Sequence, residues 1–251
     1  NDDPVLTEIE DQYTDEDTDL TIDLSAFDVD IGTNGQALEF SAVSNDETLV
    51  LVSTTSGDGT GTGTITFDVQ PDQNGEVLVA VTVTDSEGAE DSETFMLAVN
   101  PVNDEPILTL IGDQVTDEDI PLTIGLSASD VDGDELIFDA LSSSPSDVDV
   151  DISGDELTMF PSENFNGDVQ VSVSVTDGEY TDNTVFTLIV TPVNDAPTIE
   201  LPDSFTFAED GSLSEDFSGF VDDIDEDALT LTVSGNNSIT VAIIDFEVTF
   251  G

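Results

Sequence analysis

The tetrapeptide NDDP at residues 1–4 returns as NDEP at 103–106 and as NDAP at 194–197, at spacings of 102 and 91 residues. Other landmarks keep the same order. TDEDTDLTIDLSA (14–26) matches TDEDIPLTIGLSA (116–128), with a looser copy in AEDGSL (208–213). DVDIGTNGQAL (28–38) matches DVDGDEL (130–136) and DIDEDAL (223–229). QNGEV (73–77) matches FNGDV (165–169), and VAVTVTDSEG (79–88) matches VSVSVTDGEY (171–180). A period near one hundred residues means a tandem array of small domains. The 251-residue chain therefore divides into repeats at 1–102 and 103–193 and an incomplete third at 194–251. The first repeat is longer through its IGTNGQ loop and the Gly/Thr-rich SGDGTGTGT (56–64), which reads as a flexible hairpin tip.

Each repeat reads as strands. LTIDLSA, VLVAVTVT and VQVSVSVT alternate apolar and polar residues at period two, and Gly, Asn and Asp clusters punctuate them at turn spacing. Pro4, Pro106 and Pro197 open the first strand of each repeat, where a missing N–H does no harm. Pro101 and Pro192 stiffen the junctions. No stretch shows a helical period. About seven short strands per repeat predict an all-β chain of Ig-like Greek-key β-sandwiches arranged end to end, without the Cys–Trp–Cys landmarks of antibody domains.

The charge narrows the function. Asp and Glu number 59, while Lys, Arg and His are absent. Nothing here can displace counterions from phosphate, so nucleic-acid binding is excluded. Anionic membrane surfaces repel such a chain, and no apolar run is long enough to span a bilayer. NDDPVLTEIE is not a signal peptide, so an export signal is expected outside this stretch. With no cysteine, disulfides are excluded and small extracellular domains need another staple. Every buried carboxylate needs a backbone N–H, a hydroxyl, a proton or a cation. High salt or divalent cations relieve the self-repulsion, which fits a halophilic or marine protein, a calcium-binding one, or both.

The acidic loops are the candidate sites. In an Asp-x-Asp loop two carboxylates share a face, and Gly and Asn permit the turn that folds carbonyls inward. An Asn-Asp pair before a rigid Pro adds two more oxygens at the domain junction. Calcium takes six to eight hard oxygen ligands in flexible geometry. The alternative is that these loops are ordinary Asp/Asn/Gly turns held by side-chain-to-backbone bonds.

DVDIGTNGQALEF is similar to the DxDxGxNGxxxY segment of cadherin repeats. The NDxP junction resembles their DxNDNxP linker, and VTVTDSEG their AxDxG strand end. With the ED-x-x-L element, the set also resembles the cadherin-like and Ig-like tandem repeats of large bacterial surface proteins. The resemblance implies calcium (Ca2+) at each junction. Between the first two repeats it implies ligation by Glu16 and Asp17, by Asn103 and Asp104, and by Asp130, Asp132 and Asp177. Between the second and third it implies Glu118 or Asp119, then Asn194 and Asp195, then Asp223 and Asp225. Asp2, Asp28, Asp30, Asn34 and Asp85 form half a site that awaits a preceding domain. One motif departs: cadherins have an acidic DRE element where this chain has DQNG (72–75) and NFNG (164–167), which leaves a ligand unassigned. Glu90, Asp91 and Glu93 read as solvated strand edges.

Catalysis is not expected. Without His, Cys, Lys or Arg only carboxylates and hydroxyls remain, and a glycosidase would lack an aromatic sugar platform, with no Trp and two Tyr. The expected role is a calcium-rigidified extracellular segment, a rod, spacer or filament component of a cell-surface adhesin. Its partners are neighbouring repeats, other copies in a filament or a surface ligand. A ligand-binding or homophilic adhesion module is the alternative. The third repeat ends early, which implies either that the chain continues or that another molecule donates strands to build a fibre. NNS at 236–238 fits a glycosylation acceptor.

Overall fold

The computed structural model describes residues 1–31, 36–57, 61–235 and 238–251. The loop that holds Asn34, the hairpin tip around Asp58 and two of the three NNS residues lie outside the described residues. Two compact units are formed. The first comprises Asn1–Ile107, Ser129–Leu136 and Thr176–Thr181, and the second Leu108–Ala128, Ile137–Val175 and Asp182–Gly251.

The first unit holds eight strands: β1 (Val5–Leu6), β2 (Gln12–Asp15), β3 (Leu20–Phe27), β4 (Glu39–Ser44), β5 (Val50–Ser56), β6 (Thr62–Val69), β7 (Gly75–Thr84) and β8 (Glu90–Asn100). They form two four-stranded sheets, ordered β1-β3-β6-β5 and β2-β8-β7-β4. The opening segment serves both sheets. Just after Pro4, β1 pairs antiparallel with β3, while β2 pairs parallel with β8, placing Asp15 opposite Asn100. This splits the first strand and closes one edge of each sheet. The inward residues are those the alternation marks: Leu24, Ile65, Phe67, Val79, Val81, Val83 and Leu97 are essentially sealed from solvent. Outward positions of β3 are Thr21, Asp23, Ser25 and Phe27, all exposed.

The Gly/Thr-rich stretch is not simply a flexible tip. Thr62–Gly63–Thr64 already belongs to β6, paired with Ser25, Leu24 and Asp23 of β3. A Cβ on Gly63 would lie 2.4 Å from the Thr55 carbonyl oxygen and 2.7 Å from the Phe40 ring. The glycine is there for close approach.

The second unit repeats the plan. Gln114–Asp117, Thr181–Thr191, Gly167–Thr176 and Ile137–Ser142 form one sheet in that order, and Leu122–Gly125, Glu156–Pro161 and Val148–Ser153 form another. Val148, Leu157, Met159, Val171, Val173, Val175 and Leu188 are sealed between them.

In the third repeat, Leu213–Asp216, Glu247–Phe250 and Val241–Ile244 reproduce the second of these sheets in the same order. Phe205, Phe217, Phe220 and Phe250 cluster behind it, with ring centroids 5.4–6.5 Å apart. Among the described residues of 194–251, the strands that form the opposing sheet of the second repeat have no counterpart. Leu229–Val233 alternates like a strand but forms no strand ladder with the described residues.

Candidate metal centres

Strand ends and the loops between repeats bring the acidic motifs together. The buried polar residues among those described are Glu16, Asp28, Asp85, Thr116 and Glu118. Four of these five carry carboxylates, so the few charges this chain takes inside are concentrated at its motifs.

At the junction of the first two repeats, every contributing residue lies in the first unit. Glu16, 2% exposed, follows β2; its two carboxylate oxygens accept the Val102 N–H at 2.7 Å and the Asn74 side-chain amide at 3.3 Å. Asp17 turns the chain in the left-handed region at φ 59° and accepts the Asp72 N–H at 3.2 Å. The Asp104 N–H donates to Asp132 at 2.8 Å, and Asn103 Nδ2 donates to Asp177 at 2.9 Å. Carboxylate oxygens of Asp17, Asp72 and Asp104 lie within 4.8 Å of one another, as do those of Asp130, Asp132 and Asp134.

The junction of the second and third repeats lies in the second unit and uses the same bonds. Glu118 accepts the Val193 N–H at 2.6 Å, Asp119 accepts the Asn164 N–H at 2.9 Å, and Asp225 accepts the Asp195 N–H at 2.6 Å. Asn194 Nδ2 donates to the Asp195 carbonyl. Here Glu118, Asp195 and Asp225 form the cluster. At the N-terminal edge Asn1 donates to Asp85 at 2.8 Å and the Asp2 N–H to Asp30 at 2.9 Å.

The turn reading accounts for one oxygen of the loop aspartates. Asp28, Asp130 and Asp223 use Oδ1 as a turn cap: it accepts the N–H of Asp30, Asp132 and Asp225, respectively. Oδ2 of Asp28 and Asp130 is buried and has no donor, and the same holds for Oδ2 of Asp104 and Asp195. A buried carboxylate oxygen without a donor costs free energy, and no cationic side chain exists to compensate it. Desolvation, then the like charges of Asp72, Asp17, Asp132 and Glu16, push the Asp104 carboxyl above its ordinary range. Asp195 is raised in the same way by desolvation and by Asp225, Asp119, Glu118 and Asp223. Asp85 is held low, chiefly by the Asn1 amide. Burial pushes Asp177 up, but Asn103 and the Glu179 and Tyr180 amides outweigh it and hold it low. Converging oxygens, some without donors, in an all-oxygen set fit a hard divalent cation such as calcium. Glu16, Asp17, Asp72, Asp104, Asp130 and Asp132 would hold it at the first junction, and Glu118, Asp195 and Asp225 at the second.

Three features escaped the motifs. Asp72 of DQNG joins the first cluster, and Asp134 joins Asp130 and Asp132. Asp91 is no mere solvated edge: its Oδ2 accepts the Leu6 N–H at 2.8 Å, and Asp182 does the same for Leu108.

Residues 102–191 match the family described as Cadherin-like domain, and residues 1–98 the family described as Bacterial Ig domain. The five cadherin domains of protocadherin gamma B2 are 16% identical, with a TM-score of 0.52, over all of this chain and 53% of that one. The human desmocollin-1 ectodomain gives 14% identity and a TM-score of 0.44 over 98% and 52%. Mouse cadherin-23 domains 22–24 give 18% and 0.47 over 76% and 65%. The chain thus spans about half the length of the first two. No curated protein matches it in sequence. The chain is thus a tandem of β-sandwich repeats, the first two of which match these families. The bacterial Ig family covers the first repeat and the cadherin-like family the second. Such domains are generally non-catalytic and typically extracellular, and cadherin-like ones typically bind calcium. Among the described residues no helix is long and apolar enough to cross a membrane.

Proposed function

We propose that this chain is a non-catalytic structural segment of an extracellular, cell-surface adhesin-type protein, made rigid by calcium at its repeat junctions. It acts as a rod or spacer between neighbouring repeats of the same protein. The observation that carries this reading is the buried, donor-less Oδ2 of Asp104 and Asp195, each in the Asn-Asp pair of a linker and each facing other carboxylates. A cation there cancels repulsion that nothing else in the sequence can cancel. With calcium at ten times the dissociation constant, each site adds about 1.4 kcal/mol. Several sites together approach the marginal stability of a domain. The formal charge of −59 with no basic residue suits a passive spacer better than a recognition surface.

The test is a thermal melt in chelator and in millimolar calcium at fixed high ionic strength, with small-angle scattering on the same samples. A calcium-specific rise in melting temperature with a stiffer, more extended particle is the expected result. Equal stability and shape in sodium alone would reduce the loops to turns and the charge to an adaptation to salt.

A further inference from the structure

We infer that the two junctions fill with calcium in sequence, the one containing Asp72 first and the one containing Asn164 second. This rests on the calcium reading given above.

The two residues occupy the same place. Each opens the turn before an Asn-Gly pair, DQNG at 72–75 and NFNG at 164–167. Each sits in the left-handed region, at φ 53° and 58°, where Asp and Asn are the usual non-glycine occupants. Each donates its N–H to the aspartate of the preceding Glu-Asp pair, Asp72 to Asp17 and Asn164 to Asp119. The backbone frame of this turn is therefore the same at both junctions, and at this position only the side chain differs.

That difference is one full charge. A carboxylate oxygen of Asp72 lies within 4.8 Å of oxygens of Asp17 and Asp104. Asn164 offers the second junction at most a neutral amide oxygen. Six other acids correspond pairwise: Glu16 with Glu118, Asp17 with Asp119, Asp104 with Asp195, Asp130 with Asp223, Asp132 with Asp225 and Asp134 with Asp227. Asp177, which accepts from Asn103, is a further acid of the first junction with no counterpart among the described residues of the third repeat, and it adds to the same imbalance. Calcium affinity is tuned by the number of charged ligands and the rigidity of the site. The shared hydrogen bonds give both junctions the same turn, and the first adds the Asn103–Asp177 and Asn74–Glu16 bonds, so charge and rigidity both favour it. An extra carboxylate in the first shell strengthens attraction to the ion and raises the repulsion that the ion removes. Over a window of calcium concentration the first junction is loaded while the second is still open. The array then stiffens in steps rather than all at once, with Asn164 marking the step that comes later.

The experiment is a calcium titration of the full 251-residue chain, labelled with nitrogen-15 and followed by amide resonances. The amides of Asp72, Val102 and Asp104 report on the first junction, and those of Asn164, Val193 and Asp195 on the second. The first set should reach its midpoint at a calcium concentration about tenfold lower or more. Asn164→Asp should draw the second midpoint down toward the first, and Asp72→Asn should raise the first toward the second. Coincident or reversed midpoints in the wild-type chain overturn the sequential order. So does an Asn164→Asp chain whose second midpoint stays in place, and that variant adds a ligand, so it does not depend on tolerating a loss. If neither set moves up to about 10 mM calcium, well above the affinity range of extracellular sites, the calcium reading itself fails. That result is distinguishable from two junctions that fill together.

Discussion

Glu16 accepts the Val102 N–H at 2.7 Å across 86 positions of sequence, and Glu118 makes the same bond to Val193 at 2.6 Å. A buried carboxylate thus fixes where the chain leaves each repeat and aims the following Asn-Asp pair. Glu16→Ala leaves the Val102 N–H and the Asn74 amide without their acceptor, and should destabilise the calcium-loaded chain by about 1–3 kcal/mol. Glu16→Gln keeps the shape and removes a charge. It should raise the melting temperature in chelator and lower it in calcium. Paired melts check this, and a shift of the same sign in both buffers would refute the electrostatic account.

Asp91 and Asp182 hold the short opening strands through the amides of Leu6 and Leu108. Asp91→Ala should cost about 1–2 kcal/mol. It should also speed hydrogen exchange at Leu6 while leaving Leu108 protected. Exchange measured by nuclear magnetic resonance separates the two repeats, and unchanged protection at Leu6 would contradict the role.

Gly63 has no room for a side chain between the Thr55 carbonyl and the Phe40 ring. Gly63→Ala should destabilise the first repeat by about 1–3 kcal/mol through overpacking. Because neither Thr55 nor Phe40 is a candidate ligand, the loss should be equal with and without calcium. Denaturant melts in both conditions check this.

Asp46 caps a turn by accepting the Thr48 hydroxyl and amide, which hold its carboxyl below the ordinary value of 3.8. A carboxylate lowered on folding contributes stability that is present above its unfolded value and is lost as pH falls through its folded value. Thr48→Val removes the hydroxyl bond, the largest cause, so the Asp46 titration should move back up toward 3.8. Carbon-detected titration of the side-chain carboxyl reads this directly.

The sandwich was legible because LTIDLSA, VLVAVTVT and VQVSVSVT announce which residues turn inward, and those residues do. Leu229–Val233 shows the limit of such patterns: alternation makes a strand only where a neighbour supplies the ladder. Glu16, Glu118, Asp28 and Asp85 could be singled out because their motifs are contiguous. Asp72 could not, since its partners Asp17 and Asp104 lie 55 and 32 positions away and only folding joins them. A turn-forming Asp beside Gln-Asn-Gly carries no local mark of that role. Asp91 looked solvated because its local sequence carries no mark of the bond it makes to Leu6, 85 residues earlier. The fit of Gly63 against Phe40 is likewise tertiary, and composition alone made the segment look loose.

The division of labour within each loop aspartate bears on speed. Oδ1 of Asp28, Asp130 and Asp223 is anchored by amides of its own loop, so the loop holds its form before any ion arrives. On the proposed calcium reading, shaping the cage is completed when the chain folds, and capture is left with the removal of water from the ion. A rod built this way would harden and soften as quickly as ambient calcium changes around it, with no step of refolding between the chemistry of the surroundings and the mechanics of the rod.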